Sequence, residues 1–262
     1  MLGGSNLRKK LLLILVLIGF VALLTGCTEW DKPINAESTG FWNTWFVWPM
    51  AQFIEFFADL FNGSYGIGII IVTLIVRLVL LPLNVKQIKS SKAMQDIQPL
   101  IKEINEKYTS KDATTQQKKQ QETMALFQKH GVNPLAGCLP VIVQMPILIA
   151  IYHAIRRYDP ISNGEFLWFA LGDPDPIHVL PIIAAGATFL QQKLMMSGSP
   201  AGQNPQMMVM LYMMPIMIGV VAFFFPAALA LYWVVGNIFM VAQTLFIRKP
   251  MMDNANSGGE KK

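Results

Sequence analysis

Long apolar segments alternate with short polar ones along this chain, and the apolar segments determine its predicted architecture. A transmembrane helix needs about 20 consecutive, mainly apolar residues. Five such runs follow the N-terminal region, at residues 65–83, 135–155, 177–196, 206–225 and 227–247. Several contain proline, which transmembrane helices tolerate. The pattern predicts an all-α membrane protein with five transmembrane helices.

The polar stretch at residues 84–133, between the first two spans, has a helical period of its own. Its apolar residues recur at steps of three and four in two groups, which are Ile97, Leu100, Ile101, Ile104 and Tyr108, then Met124, Leu126 and Phe127. Residues 110–115 supply a turn between the groups, and Gly131 with Asn133-Pro134 ends the second one. We therefore predict a helical hairpin here.

The segment ahead of the first span, Phe41 to Phe61, reads FWNTWFVWPMAQFIEFFADLF. It is crowded with aromatic residues but interrupted by polar ones, so it is a poor candidate for a span. Aromatic side chains favour the membrane–water interface, where an amphipathic helix buries one face. We predict an interfacial helix, and a buried loop or an extra short span is the alternative.

At the N-terminus, three basic residues precede an apolar run at residues 11–24, which ends in Leu24-Thr25-Gly26-Cys27. This arrangement resembles a lipoprotein signal peptide with its lipobox. It predicts cleavage after residue 26 and lipid attachment to Cys27. A secretory peptide cleaved elsewhere and an uncleaved short anchor are the alternatives.

Composition supports a membrane location. The 262 residues are 53% hydrophobic and 14% charged, whereas about a quarter of the residues in soluble domains are charged. The net charge of +5 comes from Lys and Arg that are grouped by segment, without a nucleic-acid-binding motif. We therefore expect membrane lipids as surroundings and no direct recognition of nucleic acid.

The charge pattern also predicts an orientation, because cytoplasmic loops collect Lys and Arg. The hairpin and the tail at residues 248–262 hold thirteen basic residues, while residues 28–61 hold five acids and only Lys32. This places the N-terminus outside and the C-terminus in the cytoplasm of a bacterial cell. Against the trend, Arg156 and Arg157 fall at the external end of the second span, where we expect them to pair with Asp159 or lipid phosphates.

The predicted organisation has four parts. They are a signal peptide at 1–26, an extracytoplasmic segment with the interfacial helix at 27–61, a five-span core at 62–247 that includes the hairpin at 84–133, and a cytoplasmic tail at 248–262.

Arg77 is the single charge in the first span. It precedes Lys86 by nine residues, so it lies ~13 Å deeper along a helix that rises 1.5 Å per residue. An Arg at the centre of a spanning helix costs about 2.5–3.5 kcal/mol on insertion scales. One interpretation is snorkelling towards lipid phosphates, and the other is a polar cavity. Charged groups inside a membrane are commonly functional, which favours the cavity.

Further polar groups occur at membrane depth: Thr73, Gln144, Gln191, Gln192, Trp233, Asn237 and Gln243. Each amide alone could form a hydrogen bond between helices, worth about 0.6 kcal/mol. Together with Arg77 they indicate a hydrated groove that accepts an anionic group. Eight of the sixteen methionines lie between Met195 and Met217, which suits an adaptable apolar surface. The simpler interpretation is that these are ordinary apolar side chains that face lipid.

Two other classes of function fit the sequence less well. A transporter or anion channel would use Arg77 as its substrate site, but no inverted repeat is visible. An intramembrane enzyme is not supported, because His130, His153 and His178 lie in different segments and neither HExxH nor GxSxG occurs. We expect no metal, no cofactor and no enzymatic activity.

Three strings carry a resemblance: ETMALFQKHGVNPLAGCLPVIVQMPILIAIYHAI, with RLVLLPL before it and FPAALALYWVVGN after it. They resemble the YidC family of membrane protein insertases, and the lipobox and short N-terminal segment look like its Gram-positive lipoprotein type. The likeness extends from the lipobox to the fifth span.

This resemblance implies a protein that inserts and folds nascent membrane proteins, alone or with the Sec translocon. Its hydrophilic groove would be lined by Arg77, Gln144, Trp233 and one of Gln191 and Gln192, of which we favour Gln192. The ribosome is a further implied partner, although the short tail argues against a strong tether through it.

Overall fold

The computed structural model describes residues 32–133, 139–197 and 205–252. The predicted signal peptide at residues 1–26, the predicted lipidation site Cys27 and the end of the predicted tail, residues 253–262, lie outside the described residues.

Helices account for nearly all of the described chain. They are α1 (Trp48–Leu60), α2 (Tyr65–Asp96), α3 (Gln98–Lys107), α4 (Ala113–Lys129), α5 (Leu139–Arg157), α6 (Asp159–Ser162), α7 (Val179–Met196), α8 (Pro205–Phe224) and α9 (Ala227–Gln243). A π-helical turn at Asn43–Val47 precedes α1, and another at Thr244–Arg248 follows α9. A small antiparallel hairpin joins β1 (Glu165–Phe166) to β2 (Phe169–Ala170). The predicted all-α class is confirmed.

Three of the described helical segments are long and apolar enough to cross a membrane: Tyr65–Asp96, Val179–Met196 and Ala227–Met252. A fourth apolar helix, Met208–Phe224, is shorter within the described residues, and α5 has 19 residues, mostly apolar. Apart from the end of Tyr65–Asp96, these helices begin and end close to the predicted spans. A multi-spanning membrane protein is therefore established, while the number of five spans stays a prediction.

Helix α2 is longer than the first predicted span. It continues to Asp96, so residues 84–96, which we expected to open the polar hairpin, extend the spanning helix instead. The extension contains no glycine or proline and includes three Lys and two Gln, which favour helix. The helix stops before Ile97 because Pro99, near the start of α3, has no backbone N–H to continue the ladder.

The chain forms two compact units. Of the described residues, one unit comprises 32–72, 144–178 and 222–232, and the other comprises 73–133, 139–143, 179–197, 205–221 and 233–252.

In the first unit, α1 has the amphipathic character that its sequence predicts. Ala51, Ile54 and Ala58 are buried at steps of three and four, whereas Phe53 and Phe56 are exposed. Glycine at position 68 of α2 allows the two helices to approach closely, since a Cβ there would lie 2.5 Å from the Ile54 carbonyl oxygen.

The two arginines at the end of α5 have different environments, and only that of Arg157 departs from our expectation. Arg157 is only 3% exposed. Its Nη1 donates to Oδ1 of Asn43 at 2.8 Å, and its Nε donates to the carbonyl of Lys32 at 2.7 Å. Arg156 reaches the carbonyl of Gly172. Burial among backbone and amide acceptors means that pairing of Arg157 with lipid phosphate was the wrong interpretation.

In the second unit, α3 and α4 form the predicted helical hairpin. Lys107 Nζ lies 2.9 Å from Glu122 Oε1 across it. Asp112 is the N-cap of α4 and accepts from the Thr115 amide at 2.8 Å. Bonds from the hydroxyl of Ser110 first, then from residues 114 and 115, hold the pKa of Asp112 well below its ordinary value of 3.8.

Candidate functional site

Arg77 lies twelve residues into α2, and the helix continues without a break through Lys86. The rise per residue therefore applies, and Arg77 is ~13 Å from that lysine along the helix axis. Its side chain is half-buried. Within the described ranges, no residue forms a hydrogen bond or an ion pair with the guanidinium. The result is a cation within an apolar helix that forms no ion pair with any carboxylate of the described residues.

Gly236 of α9 lies directly against this guanidinium. A Cβ on Gly236 would be 2.6 Å from Arg77 Nη2 and 3.3 Å from both Cζ and Nε. Three atoms of the flat guanidinium therefore approach the same backbone position. This contact places Arg77 of α2 beside α9 in the second unit.

Polar side chains connect α9 to α7 through Asn237, the residue that follows Gly236. Asn237 Nδ2 donates to Thr188 Oγ1 at 2.7 Å, and that hydroxyl donates to the Ala184 carbonyl at 2.7 Å. Thr188 is buried. The two bonds form a short relay between helices in which both side chains have partners, as buried polar groups require.

Gln192 follows Thr188 by one helical turn, so the two side chains share a face of α7. It is 9% exposed, and its Nε2 donates to the thioether of Met214 in α8. Its buried Oε1 has no hydrogen-bond partner among the residues that the structure describes. In contrast, Gln191 is half-buried and bonds Met195 of its own helix. Gln192 is thus the amide directed towards a neighbouring helix.

Trp233 is half-buried on α9 and precedes Gly236 by three residues. Residues spaced by three or four lie on one side of a helix. Trp233 therefore shares a face of α9 with the glycine that contacts Arg77.

Gln144 belongs to the first unit. It is half-buried, and its Nε2 donates to the hydroxyl of Tyr232 at 2.5 Å. Tyr232 is almost completely buried. Of the four groove residues that the resemblance implies, the second unit contains Arg77, Gln192 and Trp233.

Three residues in these contacts were not selected from the sequence, namely Thr188, Tyr232 and Gly236. Threonine and glycine are common inside transmembrane helices, so neither stands out by type. Tyr232 and Gly236 lie within the string FPAALALYWVVGN that carries the resemblance, which was the available signal. Thr188 had none.

Among the described residues, this site presents a cation without an ion-pair partner against α9, whose same face carries the indole of Trp233. In the part of the chain that the structure covers, no cluster of three or more His, Cys, Asp or Glu side chains could hold a metal ion. Arg77 instead suits a mobile anionic group, since guanidinium binds carboxylates through paired donors.

Taken together, these features define a multi-spanning helical protein of the cell membrane in which an arginine lies within an apolar helix. The family model described as the 60Kd inner membrane protein matches residues 56–255, which is more than half of the chain. The chain belongs to this family, the YidC family of membrane protein insertases.

The relatives share most of their length with this chain. It is 64% identical over 251 residues to the membrane protein insertase YidC of Oceanobacillus iheyensis, covering 94% of this chain and 99% of that protein. It is 56% identical over 256 residues to membrane protein insertase YidC 2 of Bacillus anthracis, covering 98% and 100%. With the insertase MisCA of Bacillus subtilis, identity is 55% over 260 residues, covering 98% and 99%.

A solved structure supports the fold. The chain is similar, with a TM-score of 0.59 and 29% identity, to a crystal structure of an active YidC insertase with its first transmembrane domain resolved. The similarity covers 76% of this chain and 45% of that one. This chain thus spans less than half the length of the solved protein.

Proposed function

We propose that this insertase admits the polar tail of a newly made membrane protein to a hydrated groove whose positive charge is Arg77. The observation that carries the proposal is the half-buried guanidinium in the middle of an apolar helix, with no carboxylate partner among the described residues. A client's acidic residue would supply the missing counter-charge.

The energetic cost of the buried charge and the attraction of an opposite charge are of similar size. An unpaired Arg at the centre of a spanning helix costs about 2.5–3.5 kcal/mol. Opposite unit charges about 4 Å apart attract by about 4 kcal/mol at an effective dielectric constant of about 20. One acidic group on a client therefore offsets a cost of the same size. Neutral tails gain nothing comparable and depend less on Arg77.

The groove would be lined by Arg77, Gln192 and Trp233 of the second unit, together with Gln144. The contact of Arg77 with Gly236, and the presence of Trp233 on the same face of α9, support the inclusion of the first and third residues. Gln192 is supported by its buried, unpartnered carbonyl oxygen. Gln144 is included on the family resemblance alone.

Insertion would proceed without nucleotide hydrolysis or a cofactor. The sequence contains no P-loop motif. Transfer of the client's apolar segment into lipid supplies about 25 cal/mol per Å² of buried apolar surface. Amides and water in the groove shorten the hydrocarbon path for the polar tail, and the protein thereby acts as a chaperone for this transfer.

We place the N-terminus outside, anchored by lipid on Cys27, and the α3–α4 hairpin and C-terminus in the cytoplasm. The hairpin would then be the first part of the protein that a nascent client meets. The ribosome and the Sec translocon are the proposed partners, with the protein also acting alone on short clients. The excess of Lys in the hairpin and tail supports this orientation.

Reconstitution tests the proposal against transport. Purified protein in liposomes should insert a small single-span client without nucleotide and should neither conduct ions nor accumulate small anions. Empty liposomes and liposomes with the Arg77→Ala protein are the controls. Solute flux without client insertion would instead support a transporter.

A further inference from the structure

We infer that Gly236 is a positioning residue for Arg77, a role that rests on the proposed function of the cation. The observation is the contact between the α9 backbone and the guanidinium. A methyl group at position 236 would lie 2.6 Å from Nη2 and 3.3 Å from Cζ and Nε. Carbon atoms in ordinary contact are about 3.5–4.0 Å apart, so Nη2 would have to move, and Cζ and Nε would each have to shift by a few tenths of an ångström.

The displacement would fall on the arginine and not on the helix. Nη2 is the far end of a flexible side chain, which moves more easily than a packed backbone. Helix α9 is also connected to α7 by the hydrogen bond from Asn237 to Thr188, one residue beyond Gly236. A side chain at position 236 therefore moves the charge while α9 keeps its place.

The placement of the guanidinium therefore depends on the absence of a side chain at position 236. Glycine is less favourable than alanine in the interior of a helix, and Gly236 is helical, so helix propensity does not account for it. At this position glycine lets the guanidinium lie flat against α9. That contact sets where the positive charge meets the client.

The chain offers a matched control. Gly186 lies in α7, and a Cβ there would have nothing within 4 Å. Gly186→Ala makes the same chemical change in another spanning helix without meeting a neighbour. It should leave insertion at the wild-type level.

The decisive experiment is a double-mutant cycle between Gly236→Ala and Arg77→Lys, measured as insertion of an acidic-tailed client at equal protein levels. Lysine keeps the charge but lacks the flat group that meets the new methyl. We expect Gly236→Ala to reduce insertion in the Arg77 protein and to have little effect beside Arg77→Lys. The expected coupling is about fivefold, within the range for residues in contact.

A purely structural role for Gly236 predicts a different pattern. Gly236→Ala would then reduce insertion equally in both backgrounds, and equally for acidic-tailed and neutral-tailed clients. Either result, or no loss at all with Gly236→Ala, would overturn the inference. If Gly236→Ala instead lowers the amount of protein in the membrane, insertion is normalised to that amount and acidic-tailed clients are compared with neutral-tailed ones. A loss confined to acidic-tailed clients supports the positioning role, and an equal loss for both kinds of client contradicts it.

Arg77→Ala separates this inference from the proposed function. If Arg77→Ala impairs acidic-tailed clients but Gly236→Ala does not, the cation works without positioning by Gly236 and only the inference fails. If Arg77→Ala inserts those clients normally, the proposed electrostatic function fails as well.

Discussion

Nη1 of Arg157 donates a 2.8 Å hydrogen bond to Oδ1 of Asn43, which joins the end of α5 to the segment ahead of α1. Both side chains are buried. The backbone reinforces this connection, because the amide of Ile34 donates to the carbonyl of Arg157 at 2.8 Å. A buried guanidinium thus holds the segment at residues 32–43 against the end of α5 within the first unit.

Arg157→Ala should therefore destabilise the protein and release this segment. Loss of a buried, charge-assisted hydrogen bond costs about 1.5–3 kcal/mol and leaves Asn43 without this donor. The melting temperature in detergent and the rate of proteolysis within residues 32–43 measure the effect. Arg156→Ala is the control, because Arg156 is exposed and makes one long bond at 3.4 Å, so a change within about 0.5 kcal/mol is expected. Equal effects of the two substitutions would contradict the role of Arg157.

Arg77 should act through its charge. Arg77→Lys should retain much of the insertion activity, whereas Arg77→Ala should impair clients with acidic N-terminal tails by about tenfold, the effect of 1.4 kcal/mol lost from the attraction. Neutralising the acidic residues of the client should remove most of this dependence. Insertion assays with paired client variants measure the coupling. Normal insertion of acidic-tailed clients by Arg77→Ala would favour membrane thinning by the groove alone.

We predict that lipid is attached to a single thiol, that of Cys27. Cys27→Ala should abolish incorporation of labelled fatty acid and block the normal processing event. The variant should remain in the membrane, because the spanning helices hold it there. Label that persists on the variant would disprove the lipoprotein assignment, and Cys138→Ala is the control that should keep its label.

Asp112 should make the start of α4 sensitive to acid. Hydrogen bonding lowers its pKa in the folded hairpin from the ordinary value of 3.8. Because the pKa of Asp112 is lower in the folded hairpin, the ionised cap stabilises the folded form at pH values above 3.8. This stabilisation is lost as the pH falls through the folded-state pKa. Hydrogen exchange at the Thr115 amide should therefore show less protection below about pH 4 in the wild type. Asp112→Asn, which keeps a neutral cap, should lack this change once intrinsic exchange rates are subtracted.

Local pattern alone predicted much of this protein. Hydropathy located the helices that correspond to α5, α7, α8 and α9 to within a few residues, because helix length in a bilayer follows from hydrocarbon thickness. The period of three and four revealed the hairpin. Counting residues from Lys86 placed Arg77 at depth, and the continuous helix α2 made that count valid. The long strings around Gln144 and Trp233 indicated the family.

Contacts between distant segments required the tertiary structure. Arg157 differs from Arg156 only by one position along α5, yet 100° of helical rotation buries one and exposes the other. The same rotation directs Gln192, and not Gln191, towards α8. Gly236 meets Arg77 across 159 positions of sequence. The periodicity of a sequence shows that a helix has two faces. Which neighbouring helix each face contacts depends on how the helices pack, because side-chain contacts depend on the positions of several helices at once.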